Sequence, residues 1–440
     1  MQDSHAEPPS GLVRALGRWS LVGLVLNSVV GSSIFGLPSV IASLTGNASP
    51  WVVLLAGAAM AVIVACYAEV ASQFSGSGGT YLYARHVFGR FIGLQVGWTY
   101  LLARLTACAA GINLFITYLA GLWPAVSQPG VRFCVMSLFI AALAAVNYRG
   151  VTAGSLNSSF SAAAKLLPLG LLAAVGLAAL SGLAGHTGAP AVHGPAAGAL
   201  PDAVGAGRWL QAIVLLFFAY GGSEGPMTPM GEARNPRRDA AFALFTAFAL
   251  VTALYAVLQL VVIRVLPDPA HSERPLADAA RILAGEAGAH LIFAGALISI
   301  YGFLSANLLT CPRGLFALAA LGDFPPQLAA VHPRFRTPYV SIVVFALLVW
   351  LFSLLGSFSW NVTLSAVARL FYYAVVCAAV PVLRARQPDA PAFRLPGGWL
   401  LPLLGIGICA ALATRVDFSR SLILVGVVLA ALLNWLFVRR

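Results

Sequence analysis

Charged residues are scarce in this chain: Asp, Glu, Lys and Arg together make up 9% of its 440 residues, whereas 60% are hydrophobic. A soluble domain of that size keeps a much larger charged surface, so the composition excludes an ordinary water-exposed globular protein. Lysine is nearly absent, because every basic residue except Lys165 is arginine. The cysteines and histidines lack metal-site spacing, and no nucleophile motif or phosphate loop is present. These absences argue against a membrane enzyme and predict neither a cofactor nor a metal site.

Apolar stretches of about 20 residues recur along almost the whole chain, and that is the length of helix that crosses the hydrocarbon layer of a bilayer. The mean hydropathy is +0.88. The stretches are continuously apolar rather than alternating, which predicts helices and not barrel strands. We therefore predict an all-α polytopic membrane protein of about 12 transmembrane helices. The predicted spans are residues 20–44, 51–73, 91–121, 131–147, 155–181, 209–231, 240–265, 288–319, 339–356, 362–383, 399–414 and 421–437.

The net charge of +12 would suggest nucleic acid in a soluble protein, but cytoplasmic loops of membrane proteins collect Lys and Arg. Here most basic residues fall in the tails and loops on the side of the N-terminus. The lipid bilayer rather than nucleic acid is therefore the expected partner, and both termini are predicted in the cytoplasm, with the protein in the cell inner membrane. The first apolar run is too long for a cleaved signal, so we expect it to be a retained span.

Two of the predicted spans are interrupted by glycine and proline. The first contains Gly31-Ser32-Ser33 and Gly36-Leu37-Pro38, and the sixth contains Gly221-Gly222-Ser223-Glu224-Gly225-Pro226. Such breaks are tolerated in lipid only where the freed backbone groups line a buried cavity, and at matching places in two halves they point to the binding site of a secondary transporter. Free N–H groups and free carbonyls at the broken ends suit a molecule that carries both charges. Ordinary Pro/Gly kinks remain the alternative.

Motifs in order along nearly the whole chain resemble the amino acid–polyamine–organocation family. They are Gly31-Ser32-Ser33-Ile34-Phe35, Glu69 with residues 75–81, Gly97-Trp98, residues 217–224 with Glu232 and Asn235-Pro236, and the segment from Pro312-Arg313 to Thr337-Pro338. Each motif alone is weak, but the ordered set is specific. Ser33 stands where the family usually has glycine.

The resemblance implies a leucine-transporter-like fold, a 5+5 inverted repeat with broken helices 1 and 6, that works by alternating access. Residues 1–18 are then a cytoplasmic tail and residues 19–440 a single transmembrane domain. Within it, residues 19–181 form the first repeat, residues 209–383 the second, and residues 399–437 two additional helices.

The resemblance also implies where an amino acid would bind. Its carboxylate would meet backbone N–H groups around Ser32, Ser33 and Ile34. Its amine would face freed carbonyls on both broken helices, with the pocket completed at the second break. The carbonyl set is Val29 and Val30 on helix 1 and Phe218, Ala219 and Tyr220 on helix 6, and the pocket set is Gly31, Gly221 and Ser223.

Lys165 lies inside the fifth predicted span. An ionisable residue at membrane depth is costly and marks a functional site by default, and a buried lysine, unlike arginine, can release its proton. In sodium-independent members of the family, a lysine at this place puts its ammonium where sodium sits in sodium-coupled relatives. The resemblance implies that Lys165 bridges carbonyls near Gly31 and the hydroxyl of Ser305, and carries the coupled proton. Snorkelling to the cytoplasmic surface is the alternative.

Three acids and two arginines complete the candidate residues. Glu224, in the second break, has a structural role, titrates, or faces a cationic substrate; the structural role is favoured. Glu232 and Glu69, near cytoplasmic ends, are expected to form gate or loop salt bridges. Arg104 and Arg369 lie deeper than loop arginines and need carboxylate or carbonyl partners.

The predicted function is therefore sodium-independent, proton-coupled amino acid transport, with an amino acid as the substrate and a proton as the co-transported ion. An amino acid exchanger and a polyamine or amine carrier remain open. A channel fits two broken helices and a buried lysine less well, and a transport-dead sensor on the same fold is the least favoured alternative.

Overall fold

The computed structural model describes residues 18–74, 79–149, 156–181, 205–222, 236–387, 393–415 and 418–438. These residues form fourteen α-helices and short 3₁₀ turns, and no β-strand is present among them. The helices are α1 Arg18–Val29, α2 Ser33–Thr45, α3 Ser49–Ser72, α4 Gly79–Phe88, α5 Arg90–Leu122, α6 Pro129–Arg149, α7 Leu156–Leu180, α8 Ala206–Tyr220, α9 Pro236–Val265, α10 Pro275–Ala320, α11 Tyr339–Leu355, α12 Phe358–Arg386, α13 Leu400–Ala413 and α14 Phe418–Val438.

Six helical segments in the described part of the chain are long and apolar enough to cross a membrane, and five shorter apolar helices accompany them. The prediction of an all-α, multi-pass membrane protein is confirmed. Several helices present large apolar side chains outward, as a lipid-facing surface requires. Leu138 on α6 is 73% exposed, for example, and only 17% of the most apolar window of that helix is buried.

The first predicted span consists of two helices. α1 ends at Val29 and α2 begins at Ser33, so Val30, Gly31 and Ser32 connect them without belonging to either. Pro38 lies in the first turns of α2, beyond the break itself. The interruption therefore falls at the Gly-Ser-Ser sequence.

Two features of the fold differ from the sequence-based expectation. α4 was not predicted, because its sequence GTYLYARHVF mixes polar and apolar residues and is too short to be a span. α10 is longer than the eighth predicted span, residues 288–319: it begins at Pro275 and passes through a kink at Ala284 and Gly285, where Gly285 has φ of +68°.

α5 and α12 lie at the centre of the molecule and pack closely against each other. In each, 67% of the most apolar window is buried within the protein. α1 packs on α9, and α2 packs on α8. α12 also packs on α8, and the Tyr118 hydroxyl of α5 donates to the Phe35 carbonyl of α2 at 2.8 Å, so the central pair contacts both α8 and α2.

Candidate functional site

The end of α8 meets the break between α1 and α2. α8 ends at Tyr220, and Gly221 continues in an extended conformation. Gly222 follows with φ of +112°, a conformation that favours glycine. The Ser28 hydroxyl donates to the Gly222 carbonyl at 2.6 Å, and a Cβ at Gly222 would lie 2.7 Å from the Ser28 carbonyl oxygen. Glycine is thus required at this position by both backbone conformation and space.

A cavity lies at this junction. The space between its lining atoms measures about 290 Å³, open solvent at its mouth included. The residues that line it are Ser28, Val29, Gly31, Ser32, Ser33, Arg104, Phe218, Gly221, Gly222, Phe303 and Arg369. Backbone of the interrupted first span and of the end of α8 therefore lines the same space, together with the side chains of Arg104 and Arg369.

The carbonyl groups freed by the break in helix 1 are taken up by side chains from three other helices. The last carbonyls of a helix lack partners within it. Lys165 on α7 donates to the carbonyl oxygens of Asn27 at 2.5 Å and Val30 at 2.8 Å. The Tyr255 hydroxyl on α9 donates to the Val29 carbonyl at 3.3 Å.

The third of these helices is α10, where the Ser299 hydroxyl lies 3.5 Å from the Gly31 carbonyl. The carbonyl groups at the break thus have side-chain hydrogen-bond partners, and the break is not a frayed helix end.

Lys165 is 3% exposed and lies next to the break between α1 and α2. Its two carbonyl contacts hold the ammonium at the interruption itself, so the snorkelling alternative does not describe this structure. Lys165 was expected to contact carbonyls near Gly31 and the Ser305 hydroxyl: the carbonyls of Asn27 and Val30 agree with the first part, whereas the α10 hydroxyl beside the Gly31 carbonyl is that of Ser299. Ser305 lies six positions further along α10, which turns it to a different side of the helix.

The opposite end of the break is the N-terminus of α2. Ser32 precedes the helix, and its side chain makes no capping hydrogen bond to the first turn. The Phe35 N–H donates to the Ser32 carbonyl at 3.2 Å. Helix N-termini carry free N–H groups and a partial positive charge, which favour an anion, and Ser32 and Ser33 face the cavity.

The structure brings together part of the predicted substrate-binding set. Val29, Gly31, Ser32, Ser33, Phe218 and Gly221 line the cavity, whereas Val30, Ile34, Ala219 and Tyr220 are buried around it. Ser223, Glu224 and Glu232 lie outside the described residues. The Tyr220 hydroxyl donates instead to the Val53 carbonyl at 3.0 Å, because its ring packs towards Tyr255 of α9.

The carbonyls of Val29 and Val30 had been assigned to a substrate amine, and here they already accept hydrogen bonds from Tyr255 and Lys165. The positive charge of Lys165 also disfavours a second cation at the Val30 carbonyl. Phe303 was not identified from the sequence; it faces Gly31 and Gly111, and one aromatic residue in an apolar span gives no signal of its own.

Arg104 and Arg369 reach the cavity from the central pair of helices. Arg104 Nη1 lies 3.4 Å from Asn307 Oδ1, and the Arg369 guanidinium carbon lies 5.9 Å from the centroid of the Phe218 ring. The Ser365 hydroxyl on α12 donates to the Ala103 carbonyl on α5 at 2.7 Å. That bond lies one residue from Arg104 and one turn from Arg369, so it fixes the two arginines relative to each other.

Away from the cavity, Glu69 forms the ion pair expected of a loop or gate acid. Its carboxylate is fully buried, and it accepts two hydrogen bonds of 2.6 Å from Arg384 and one of 2.8 Å from the Leu395 N–H. The bidentate contact joins the end of α3 to the end of α12 and to the segment before α13.

Asp323, after α10, is the centre of a second network. It pairs with Arg85 at 2.5 Å and Arg90 at 2.7 Å and accepts a hydrogen bond from the Tyr81 hydroxyl. Burial, together with the hydrogen bond to Asp323, raises the pKa of Tyr81 to about 12, so the phenol stays protonated as a donor. Asn434 of α14 donates to the Asp323 carbonyl at 2.6 Å. Asp323 thus links α4, the start of α5 and α14.

The amino acid permease family matches residues 16–430 of this chain. An uncharacterized transporter of Mycobacterium tuberculosis is 30% identical over 420 residues, which cover 93% of this chain and 88% of the relative. The serine/threonine exchanger SteT of Bacillus subtilis is 26% identical over 416 residues, with 91% and 90% covered. The branched-chain amino acid permease BcaP of Bacillus subtilis is 25% identical over 426 residues, with 92% and 89% covered.

Proposed function

The chain belongs to the amino acid permease family, and we propose that it is a secondary active transporter that carries amino acids across a membrane by alternating access. The observation that carries this proposal is the cavity at which the interrupted first span meets the end of α8. Irregular backbone at membrane depth requires such a protein-lined cavity. The names of the relatives, a serine/threonine exchanger and a branched-chain amino acid permease, support amino acids as the substrate class.

The finer architecture is part of the proposal. Twelve spans in a leucine-transporter-like 5+5 arrangement, with both termini in the cytoplasm of an inner-membrane protein, follow from the span spacing and the arginine distribution. The placement of the two irregular segments against each other supports this arrangement, because broken helices in corresponding repeats meet at a central site. The substrate carboxylate would occupy the N-terminus of α2, between Ser32 and Ser33.

Lys165 is the proposed coupling residue, in a sodium-independent and proton-coupled cycle. Its ammonium holds two carbonyls of the break, Asn27 and Val30, where a bound metal cation would otherwise be needed to satisfy them. Release of its proton would weaken those two bonds and allow the segment around Gly31 to rearrange. The break and the proton site are thus one structural unit.

Amino acid exchange is the second candidate, and the similarity to a serine/threonine exchanger favours it. An exchanger returns to its starting state only when loaded, so substrate on the far side accelerates uptake. A proton symporter responds instead to an imposed pH gradient.

The test is uptake by purified protein reconstituted into liposomes. Each of the amino acids is offered in labelled form to empty vesicles, to vesicles with an inward proton gradient, and to vesicles loaded with the same unlabelled amino acid. We expect saturable uptake of at least one amino acid in one of the last two conditions, and unchanged uptake by a Leu138→Ala variant on the lipid-facing side of α6. Folded protein that binds but never accumulates an amino acid would make the chain a sensor and overturn the proposal.

A further inference from the structure

Four aromatic rings meet between the C-terminal end of α6 and the N-terminal end of α11, away from the cavity. The Tyr148 ring centroid of α6 lies 5.3 Å from that of His332, 5.9 Å from that of Phe335 and 6.2 Å from that of Tyr339. The His332 ring also stacks on the Phe335 ring at 4.9 Å. The Thr337 hydroxyl donates to the Tyr148 carbonyl at 2.8 Å. The loop that precedes α11 is thus fixed to the end of α6.

This loop, residues 332–337, is held in one conformation by its own hydrogen bonds. His332 Nδ1 accepts from the Arg334 N–H at 3.2 Å, and the His332 N–H donates to the Thr337 carbonyl at 2.9 Å. Arg336 has φ of +55°, and in the part of the chain that the structure describes no other residue except glycine has a positive φ. Backbone strain of this kind clusters at functional sites, so the loop is a place to look for a ligand.

Three arginine residues surround the ring cluster. Arg149 and Arg336 are each one residue from the hydrogen bond that joins α6 to the loop. The Arg334 guanidinium carbon lies 5.6 Å from the centroid of the Phe335 ring. All three arginines are exposed, and none of them forms an ion pair with another described residue. They form a patch of positive charge on the face that is predicted to be cytoplasmic.

The ion pairs described on the same face of the molecule use other arginines. Glu69 pairs with Arg384, and Asp323 pairs with Arg85 and Arg90. The patch therefore suits an anion that comes from outside the protein.

The two helices next to the patch present apolar side chains outward. Val146 on α6 and Val343 and Leu347 on α11 are exposed, and each lies within about two helical turns of a ring of the cluster. We propose that Arg149 and the 332–337 loop bind the phosphate head group of an anionic phospholipid, whose acyl chains lie along α6 and α11. Basic clusters beside transmembrane helices bind anionic head groups, and tyrosine rings favour the level of the head groups.

The first experiment compares lipids on the purified wild-type protein in a neutral detergent. Phosphatidylglycerol, which carries one net negative charge, is titrated against phosphatidylethanolamine with the same acyl chains, and bound lipid is counted by native mass spectrometry. A basic residue near an anionic lipid surface contributes about a fivefold factor in affinity, so phosphatidylglycerol should bind at least about fivefold more tightly. Equal affinity for the two lipids would overturn the proposal.

Inorganic phosphate has the head-group charge without acyl chains, and it distinguishes a lipid site from a simple anion site. At the same concentration as the lipid, phosphate should not displace phosphatidylglycerol. Displacement would overturn the assignment of the patch to a lipid.

The second experiment locates the lipid by substitution. Arg149→Gln, Arg334→Gln and Arg336→Gln should each weaken phosphatidylglycerol binding about fivefold and leave phosphatidylethanolamine binding unchanged. Arg394→Gln is the matched control, because Arg394 is an exposed arginine before α13, outside the ring cluster. Wild-type affinity for phosphatidylglycerol in all three loop and α6 variants, or an equal loss in the control, would overturn the site.

Arg336→Gly separates lipid binding from folding of the loop. Glycine adopts φ of +55° without strain, so this variant should keep the wild-type melting temperature in lipid-free detergent. It should also gain less thermal stability than wild type when phosphatidylglycerol is added. The same gain as wild type would overturn the role of Arg336. All of these measurements are made without an amino acid, so they do not depend on the proposed transport function.

Discussion

Replacing Lys165 with methionine separates the stability of the break from its proposed role in coupling. Methionine has nearly the same length but no donor, so the carbonyls of Asn27 and Val30, now 2.5 and 2.8 Å from Nζ, lose a partner. An unsatisfied buried acceptor costs about 1–3 kcal/mol, or about 2–6 kcal/mol for the pair. Removing a buried ammonium offsets part of that, because desolvating an ion costs several kcal/mol. We therefore expect a folded variant with modestly lower thermal stability.

The effect on transport should be larger than the effect on folding. One lysine carries one proton per cycle, and a pH difference of 1 unit corresponds to about 1.36 kcal/mol, so it can drive about tenfold accumulation of substrate. Wild-type vesicles should approach that ratio. Lys165→Met should lose accumulation driven by the gradient, because no proton is carried, and Lys165→Arg should lose it too, because arginine keeps its proton.

Accumulation is measured as labelled substrate inside vesicles of known volume, at a fixed pH difference and zero membrane potential. Exchange of internal for external substrate is measured on the same preparations, and it should persist in at least one of the two variants. Tenfold accumulation by folded Lys165→Met vesicles would refute the coupling role. If the methionine variant does not fold, the arginine variant provides the decision.

Three further substitutions test other parts of the structure. Gly222→Ala should impair folding or transport, because φ of +112° and a Cβ 2.7 Å from the Ser28 carbonyl add strain of at least about 1–2 kcal/mol. Thermal unfolding measures the effect, and Gly407→Ala in α13, where a Cβ would meet open space, is the control. Glu69→Gln should lower the free energy of unfolding by about 3–5 kcal/mol, because the buried contact with Arg384 is broken. A double variant with Arg384→Gln should recover part of that loss. Equal stability of Glu69→Gln and wild type would contradict the reasoning. Asp323→Asn should loosen α4 from the end of α10 and speed tryptic cleavage after Arg85 and Arg90, which lose their ionic partner; unchanged cleavage would mean that the network does not hold α4.

The positions of the long helices could be predicted from apolar run length alone. α3, α5, α6, α7 and α11 begin and end within two residues of the expected limits, because the length of an apolar helix is set by the bilayer it must cross. α4 could not be found in this way. It is short, carries Arg85 and His86 in its last turn, and depends on contact with α5 rather than on lipid.

The position of the first break could also be predicted, because Gly31, Ser32 and Ser33 are weak helix formers in an otherwise apolar run. The side chains that donate to the carbonyls of the break could not be predicted. To predict that Ser299 and not Ser305 contacts Gly31, one must know how α10 is rotated about its axis. To predict that Tyr255 donates to Val29, one must know how α9 packs on α1. The contact of Arg104 with Asn307 depends in the same way on two helices 203 residues apart in sequence, and that of Arg369 with Phe218 on two helices about 150 residues apart.

The proposed coupling to one proton predicts how transport responds to the membrane potential. A neutral amino acid carried with one proton moves one net positive charge per cycle. A potential of about 100 mV is worth about 2.3 kcal/mol per elementary charge, which corresponds to about a 50-fold change in accumulation. Accumulation of a neutral amino acid should therefore rise about 50-fold under an imposed potassium diffusion potential of about 100 mV, negative inside. Accumulation that does not respond to this potential would show that the cycle moves no net charge, and would exclude the combination of one proton with one neutral amino acid.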